Sequence, residues 1–325
     1  MMREAQLSSS WVAGCALLAA LGSLGCASFA AAANQGGRSC PAGTVLTGSP
    51  PPNGLEVACV SLEPDGVTIN HGPWAAWHEN GLPRARGSFF MGRADGAFQS
   101  WYENGQSRSR GQYVSGSREG DWTFWYPSGQ RRIAAVWKKG KKHGEFMQWH
   151  ERGTPKARGS FRDGERDGVW VHWFEDGARK SKVHWVKGLR QGVARTYHRH
   201  GQLELEMSFR KGSPHGTSTR WHSNGAKKAK IPWRMGRVHG RVTLYYECGQ
   251  QRRMMDFVDS SRNGPFKAWH ENGRLSLMGA YLEDRPHGVW VRWDDSGQEI
   301  SRGRYEEGLL VEGSDVLKPL FVQDH

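Results

Sequence analysis

Between Arg84 and Phe89 the chain alternates residue by residue. Ala85, Gly87 and Phe89 fall on one side, and Arg84, Arg86 and Ser88 on the other. The alternation returns with Ser109, Gly111 and Tyr113 against Arg108, Arg110 and Gln112, and again with Ala157, Gly159 and Phe161 against Lys156, Arg158 and Ser160. A period of two over six residues predicts a half-buried strand. Each of these segments follows a stretch such as "GAFQSWYENG" (Gly96–Gly105) or "GDWTFWYPSG" (Gly120–Gly129), which reads as a short aromatic strand ending in a turn. The pairs Asn80–Gly81, Asn104–Gly105, Asn224–Gly225 and Asn272–Gly273 predict tight hairpins, because both residues tolerate positive φ. A second glycine turn, as in "VSGSREG" and "RDGERDG", leads into the next strand.

The hairpins repeat with a period of 24 residues. Glycine stands at 72, 96, 120 and every further step to 288, and again nine places after each of these, from Gly81 to Gly297. Five places after the first glycine comes Trp77, Trp101, Trp125, Trp149, Trp173, Tyr197, Trp221, Tyr245, Trp269 or Trp293. A fourth column, at seventeen places, runs aromatic from Phe89 to Tyr305. "GPWAAWHENG" (72–81) and "GPFKAWHENG" (264–273) are thus the first and ninth copies of one unit. The expected fold is all-β, an elongated, twisted single-layer meander of ten 24-residue β-hairpin repeats over 72–313. Glycine density and period-two patterning exclude a helical repeat, and the unit is too short for a propeller blade. Ten hairpins make roughly twenty strands, or about 90 Å at ~4.8 Å per strand. No copy can bury its aromatics alone, so stability is expected to come from neighbouring copies. Trp77, Trp101, Trp125, Trp149, Trp173, Trp221, Trp269 and Trp293 are the expected structural aromatics.

The ends differ. Residues 1–33 have the shape of a secretory signal peptide, with an apolar stretch from Trp11 to about Ala27 and small residues at Ala31–Ala33. The alternative is a lipoprotein signal with Cys26 as the lipid-bearing residue, although Ser23 stands where that pattern wants leucine. Either reading places the protein outside the cytoplasm: periplasm, outer envelope or medium. In 34–71, Cys40 and Cys59 bracket a Pro/Gly-rich segment that a disulfide would pin as an N-terminal cap. Their spacing does not suit zinc. Cys248 is left as a free thiol in a turn. The tail, 314–325, follows a one-residue slip of register and is the expected C-terminal cap.

Composition adds a bias toward binding. The 325 residues include 43 glycines and 16 tryptophans and carry a net charge of +13, and their mean hydropathy is -0.70. Aromatic strands and turns, with little aliphatic interior, are not the composition of an enzyme core. On the polar side of the returning strands lie two rows of cations. Arg84, Arg108, Arg132, Lys156, Lys180, Lys228 and Arg252 form one, and Arg86, Arg110, Arg158, Lys182, Lys230 and Arg302 the other. The plain reading is a solvated sheet face on which Lys and Arg discourage edge aggregation. The functional reading is an extended surface for an anionic partner.

The histidines fall into two columns. His71, His143, His215, His239 and His287 share their place with Asp95, Glu119, Asp167, Gln191 and Asn263, which marks a turn position. His78, His150, His198, His222 and His270 alternate with Tyr102, Tyr126, Tyr246 and Phe174, which suggests an aromatic stacking slot. His198 and His222 are the best metal candidates, but no carboxylate column accompanies them. There is no GxSxG, P-loop or Cys–His pair in a pocket-forming context. No catalytic residue, metal or cofactor is therefore assigned.

The G-x-W-x-x-W-Y-x-N-G block and the returning block of Arg110–Gly116 resemble the MORN-repeat variant proteins of bacteria, some of which are labelled antitoxin components of toxin–antitoxin systems. The resemblance covers 72–313. It implies a non-enzymatic binding or scaffolding surface whose partners are proteins or acidic lipids. A protein partner is expected first, with an anionic lipid or polysaccharide as the alternative; export argues against nucleic acid. A neutraliser of a toxin protein is the rival reading.

Overall fold

The computed structural model describes residues 40–318; residues 1–39, with the expected signal peptide and Cys26, and residues 319–325 lie outside that range. Between these limits every regular element is a strand, and every pairing is antiparallel. β1 (Val45–Ser49) pairs with β2 (Glu56–Leu62), β2 with β3 (Thr68–Trp77), and β3 with β4 (Pro83–Phe90). The meander continues copy by copy to Leu309–Gly313, the last strand, which pairs with Glu299–Glu306. It has 27 segments because four outgoing strands break just before the repeat glycine, as at Arg93–Ala94 and Gly96–Trp101.

The two turns of each copy exchange the roles expected of them. Asn80–Gly81 is not a two-residue hairpin. Trp77 pairs with Pro83, leaving a five-residue loop closed by His78 N–H to Leu82 O at 2.8 Å. Gly81 alone adopts positive φ there, at 79°. Asn80 acts through its side chain: Oδ1 accepts from Leu82 N–H (3.0 Å) and Nδ2 donates to Glu103 O (2.7 Å), one copy onward. Asn104, Asn224 and Asn272 make the same outward bond. The tight turn is the other one. At Met91–Gly92 both residues have positive φ (46° and 76°), and Phe90 pairs with Arg93 across it. That is the type I′ geometry whose twist matches the strands it joins.

The most deeply buried rings stand two places after the repeat glycine. Trp122, Trp170 and Trp290 are at most 1% exposed. The eight tryptophans at the fifth place are only half-buried, because they sit where the strand bulges into its loop. Each buried indole lies flat on a glycine of the neighbouring strand: a Cβ on Gly111 would come within 2.2 Å of Trp122. Aromatics at the seventeenth place meet these indoles edge-on, as Tyr113 meets Trp122 at 5.0 Å. Two core clusters result. One centres on Ala135, Phe146, Ala157 and Trp170, the other on Phe266, Leu277, Trp290 and Tyr305. Between them the inner place holds only Ala194 and Ser218 in copies six and seven, the copies that start at Gly192 and Gly216.

Hydrogen bonds join successive copies along both sheet margins. At the tight turns, the second residue's N–H reaches back to the preceding copy, as Gly116 does to Ala94 O (2.7 Å) and Gly140 to Arg118 O (3.0 Å). At the five-residue loops, a ring donates forward. Tyr102 Oη donates to Trp125 O (2.8 Å) and Tyr126 Oη to Trp149 O (2.9 Å), while His78 Nε2 lies 3.2 Å from Trp101 O. A carbonyl only accepts, so Nε2 carries the histidine proton. The slot expected to stack rings therefore selects a ring-borne donor of the right reach. Phe174 cannot donate and leaves the rung from copy five to copy six unmade.

Both ends are closed. Cys40 and Cys59 form a disulfide with Cα atoms 5.6 Å apart, and Cys59 is 2% exposed. At the other end Tyr305 Oη donates to Asp315 Oδ1 and accepts from Val316 N–H, both at 2.9 Å. This seats Val316 and Leu317 on the second core cluster.

Candidate binding surfaces

Strand β4 shows how the cation rows are set. Ala85 is buried while Arg84 and Arg86 on either side of it are exposed, so the row side chains leave the sheet on the face opposite the packed aromatics. Arg108, Arg110, Lys156, Arg158, Lys180, Lys182, Lys228, Arg252 and Arg302 are likewise exposed, and Arg132 and Lys230 half-buried. Several of the charged heads sit over loop rings: Arg108 over Tyr102 (5.7 Å), Lys180 over Phe174 (5.4 Å) and Arg252 over Tyr246 (5.8 Å). Arg86 lies 5.4 Å from the ring of Trp101 and donates to Gln99 Oε1.

Carboxylates do not neutralise these rows over copies one to five. Among the described residues, no ion pair involves any row member from Arg84 to Lys182. The rows stop at copy six, where Glu204 and Glu206 occupy the cation places and Glu206 pairs with Arg195 at 2.7 Å. Beyond copy eight the same places hold Ser276, Met278 and Ile300, and Arg302 pairs with Glu299.

A third cation column lies on the aromatic face, and the sequence reading missed it. Arg118, Lys142, Arg166 and Arg190 stand two places before successive repeat glycines, inside the short turn segments "SREG", "KKHG", "ERDG" and "LRQG". The period of 24 was the available signal. Arg118 sits 4.6 Å over Trp122 and 4.9 Å over Trp137; Lys142 sits 5.2 Å over Phe146 and 5.0 Å over Phe161. Arg166 follows over Trp170 (4.5 Å) and Trp185 (5.1 Å), and Arg190 over Phe209 (4.4 Å). Burial, then the like charges of Arg118 and Arg166, hold the Lys142 ammonium below its ordinary pKa.

The histidines serve the turns and rungs. His143 Nδ1 lies 3.3 Å from Asp163 N–H at a tight turn, as Asp95, Glu119 and Gln191 accept at theirs. His198 and His222 each spend Nε2 on a carbonyl of the next copy. Among the described residues, no three His, Cys, Asp or Glu side chains gather as a metal site. Cys248 is an exposed free thiol in the loop of copy eight.

Residues 94–115, 118–139 and 190–211 match the family described as the MORN repeat variant, at starts that fall in phase with the 24-residue period. No curated protein sequence matches the chain. Two solved structures are similar in part: the crystal structures of TcdB2-TccC3 and of TcdB2-TccC3-Cdc42, each 9% identical, with TM-scores of 0.18 and 0.15. The alignments cover 82% and 83% of this chain but only 17% and 18% of those chains.

Proposed function

We propose that this chain of MORN-variant repeats is a non-enzymatic binding surface, exported from the cytoplasm, that docks an acidic protein through the two outward cation rows of copies one to five. One observation carries the reading. Nine row cations, from Arg84 to Lys182, share one face at regular spacing, and the described chain offers none of them a carboxylate. Unpaired like charges held on a rigid sheet raise the local anion concentration and the association rate more than they add contact energy. Export is supported by the apolar leader and by the Cys40–Cys59 disulfide, which suits an oxidising compartment. Binding rather than catalysis is what MORN-type repeats generally do.

The test is affinity capture with the mature chain, from Asn34 on, out of cross-linked cell envelopes. It is run beside a variant with Arg84, Arg108, Lys156 and Lys180 changed to glutamate. The expected result is one stoichiometric acidic protein, present with the parent and lost with the variant. Equal capture by both chains would sink the role given to the rows. Lipid or glycan that washes away in salt would assign the rows to a diffuse anion instead.

A further inference from the structure

The third column contains its own internal comparison. Its fifth cation, Arg262 in copy eight, sits 4.2 Å over Tyr281 as the others sit over their rings. There the protein supplies the anion: Asp284 Oδ1 accepts from Arg262 Nε at 3.0 Å, and Arg262 Nη2 bonds Asp284 O. Among the described residues, no carboxylate pairs with Arg118, Lys142, Arg166 or Arg190. Copies six and seven have Pro214 and Val238 at this place, so the four unpaired cations form one uninterrupted run.

We propose that the aromatic face of copies two to five is a track for a linear anionic polysaccharide, whose acidic groups stand to these four cations as Asp284 stands to Arg262. Spacing argues for a polymer. Successive cations are two strands, or about 9.6 Å, apart, too far for one carboxylate or sulfate to bond two of them. A ligand using all four must carry acidic groups at that interval along its length. Depth argues against a bilayer. Arg118, Lys142 and Arg166 are half-buried among rings, where a flat headgroup surface cannot follow them. The density of charge argues against duplex nucleic acid, which carries a phosphate charge about every 1.7 Å of axis. Of the rings beside the cations, Tyr113, Trp137, Phe161 and Trp185 are only half-buried and are the ones left to take the apolar faces of sugars. This track lies on the other face from the protein-docking rows and does not depend on them.

Calorimetric titration of the whole chain with galacturonic acid and with oligogalacturonates of graded length tests the proposal. Affinity is expected to climb with length until an oligomer spans all four cations, and then to level off. Changing Arg118, Lys142 and Arg166 together to glutamine should weaken the longest oligomer at least about tenfold. The charge-keeping pair R118K and R166K should retain most of the affinity, and the outer-row variant should stay within about twofold of the parent. If the triple variant does not fold, Lys142→Gln alone should still lower the plateau. Affinity independent of length, or a folded triple variant that binds like the parent, would overturn the proposal.

Discussion

His172 faces three constraints. It stacks on Trp170 with ring centres 6.1 Å apart, its Nδ1 lies 3.2 Å from Ser181 Oγ, and it sits near the Arg166 and Lys180 charges. Burial, then those two cations, hold its pKa below the ordinary 6.5. A base whose folded pKa is depressed is protonated first in the unfolded chain as pH falls. Its contribution to stability is therefore complete above about pH 6.5 and fades as pH drops through that value toward the folded pKa. The preceding copy carries Gln148 at the same place, so His172→Gln is a mild substitution. The variant should lose less stability than the parent between about pH 7.5 and pH 5.5, as urea midpoints would read it. Equal losses in the two chains would remove His172 from the account.

At the scale of the hairpin, the period was plain in the sequence and the turn chemistry was not. Ten copies with unbroken glycine and aromatic columns left no other fold, because only a strand pair buries such a unit against its neighbours. Asn80–Gly81 misled because loop length is set by where pairing resumes, here Pro83, and a two-letter motif does not carry that information. The true type I′ turn hides its first residue among Met91, Ser115, Lys139 and Asp163, which have nothing in common but their neighbour. The outer rows were legible as alternation. The inner cations were not, since their meaning depends on rings brought over them from a neighbouring strand. One consequence concerns the missing rung. Phe174→Tyr would place a hydroxyl where Tyr126 holds one, opposite the Tyr197 carbonyl. It should stabilise the chain by about 0.5–1 kcal/mol, read as a higher urea midpoint with unchanged slope. A lower midpoint would mean that the slot at Phe174 is too tight for the hydroxyl.

The whole molecule divides where the Phe174 rung is absent. Copies one to five carry the unpaired outer rows, the inner cation run and the first aromatic cluster; copies eight to ten carry the second cluster and the capped tail. Copies six and seven join them with Ala194 and Ser218 at the inner place, where copy five puts the Trp170 indole and copy eight Val242. In a repeat protein, stability is a sum over adjacent units, so the thinnest interfaces open first. Backbone amides of Gly192–Tyr197 and Gly216–Trp221 should exchange hydrogen faster than those of Ser117–Trp125 and Arg285–Trp293. Uniform protection along the sheet would contradict a divided molecule.

That division gives Phe174 a mechanical meaning. If copies one to five are held by their partners while the far end is dragged, the tension runs through one strand margin that is stitched and one that has dropped a stitch. The sheet then yields at a place written into it, five copies from the anchored end, and the gripping half keeps its shape while the other half pays out as slack.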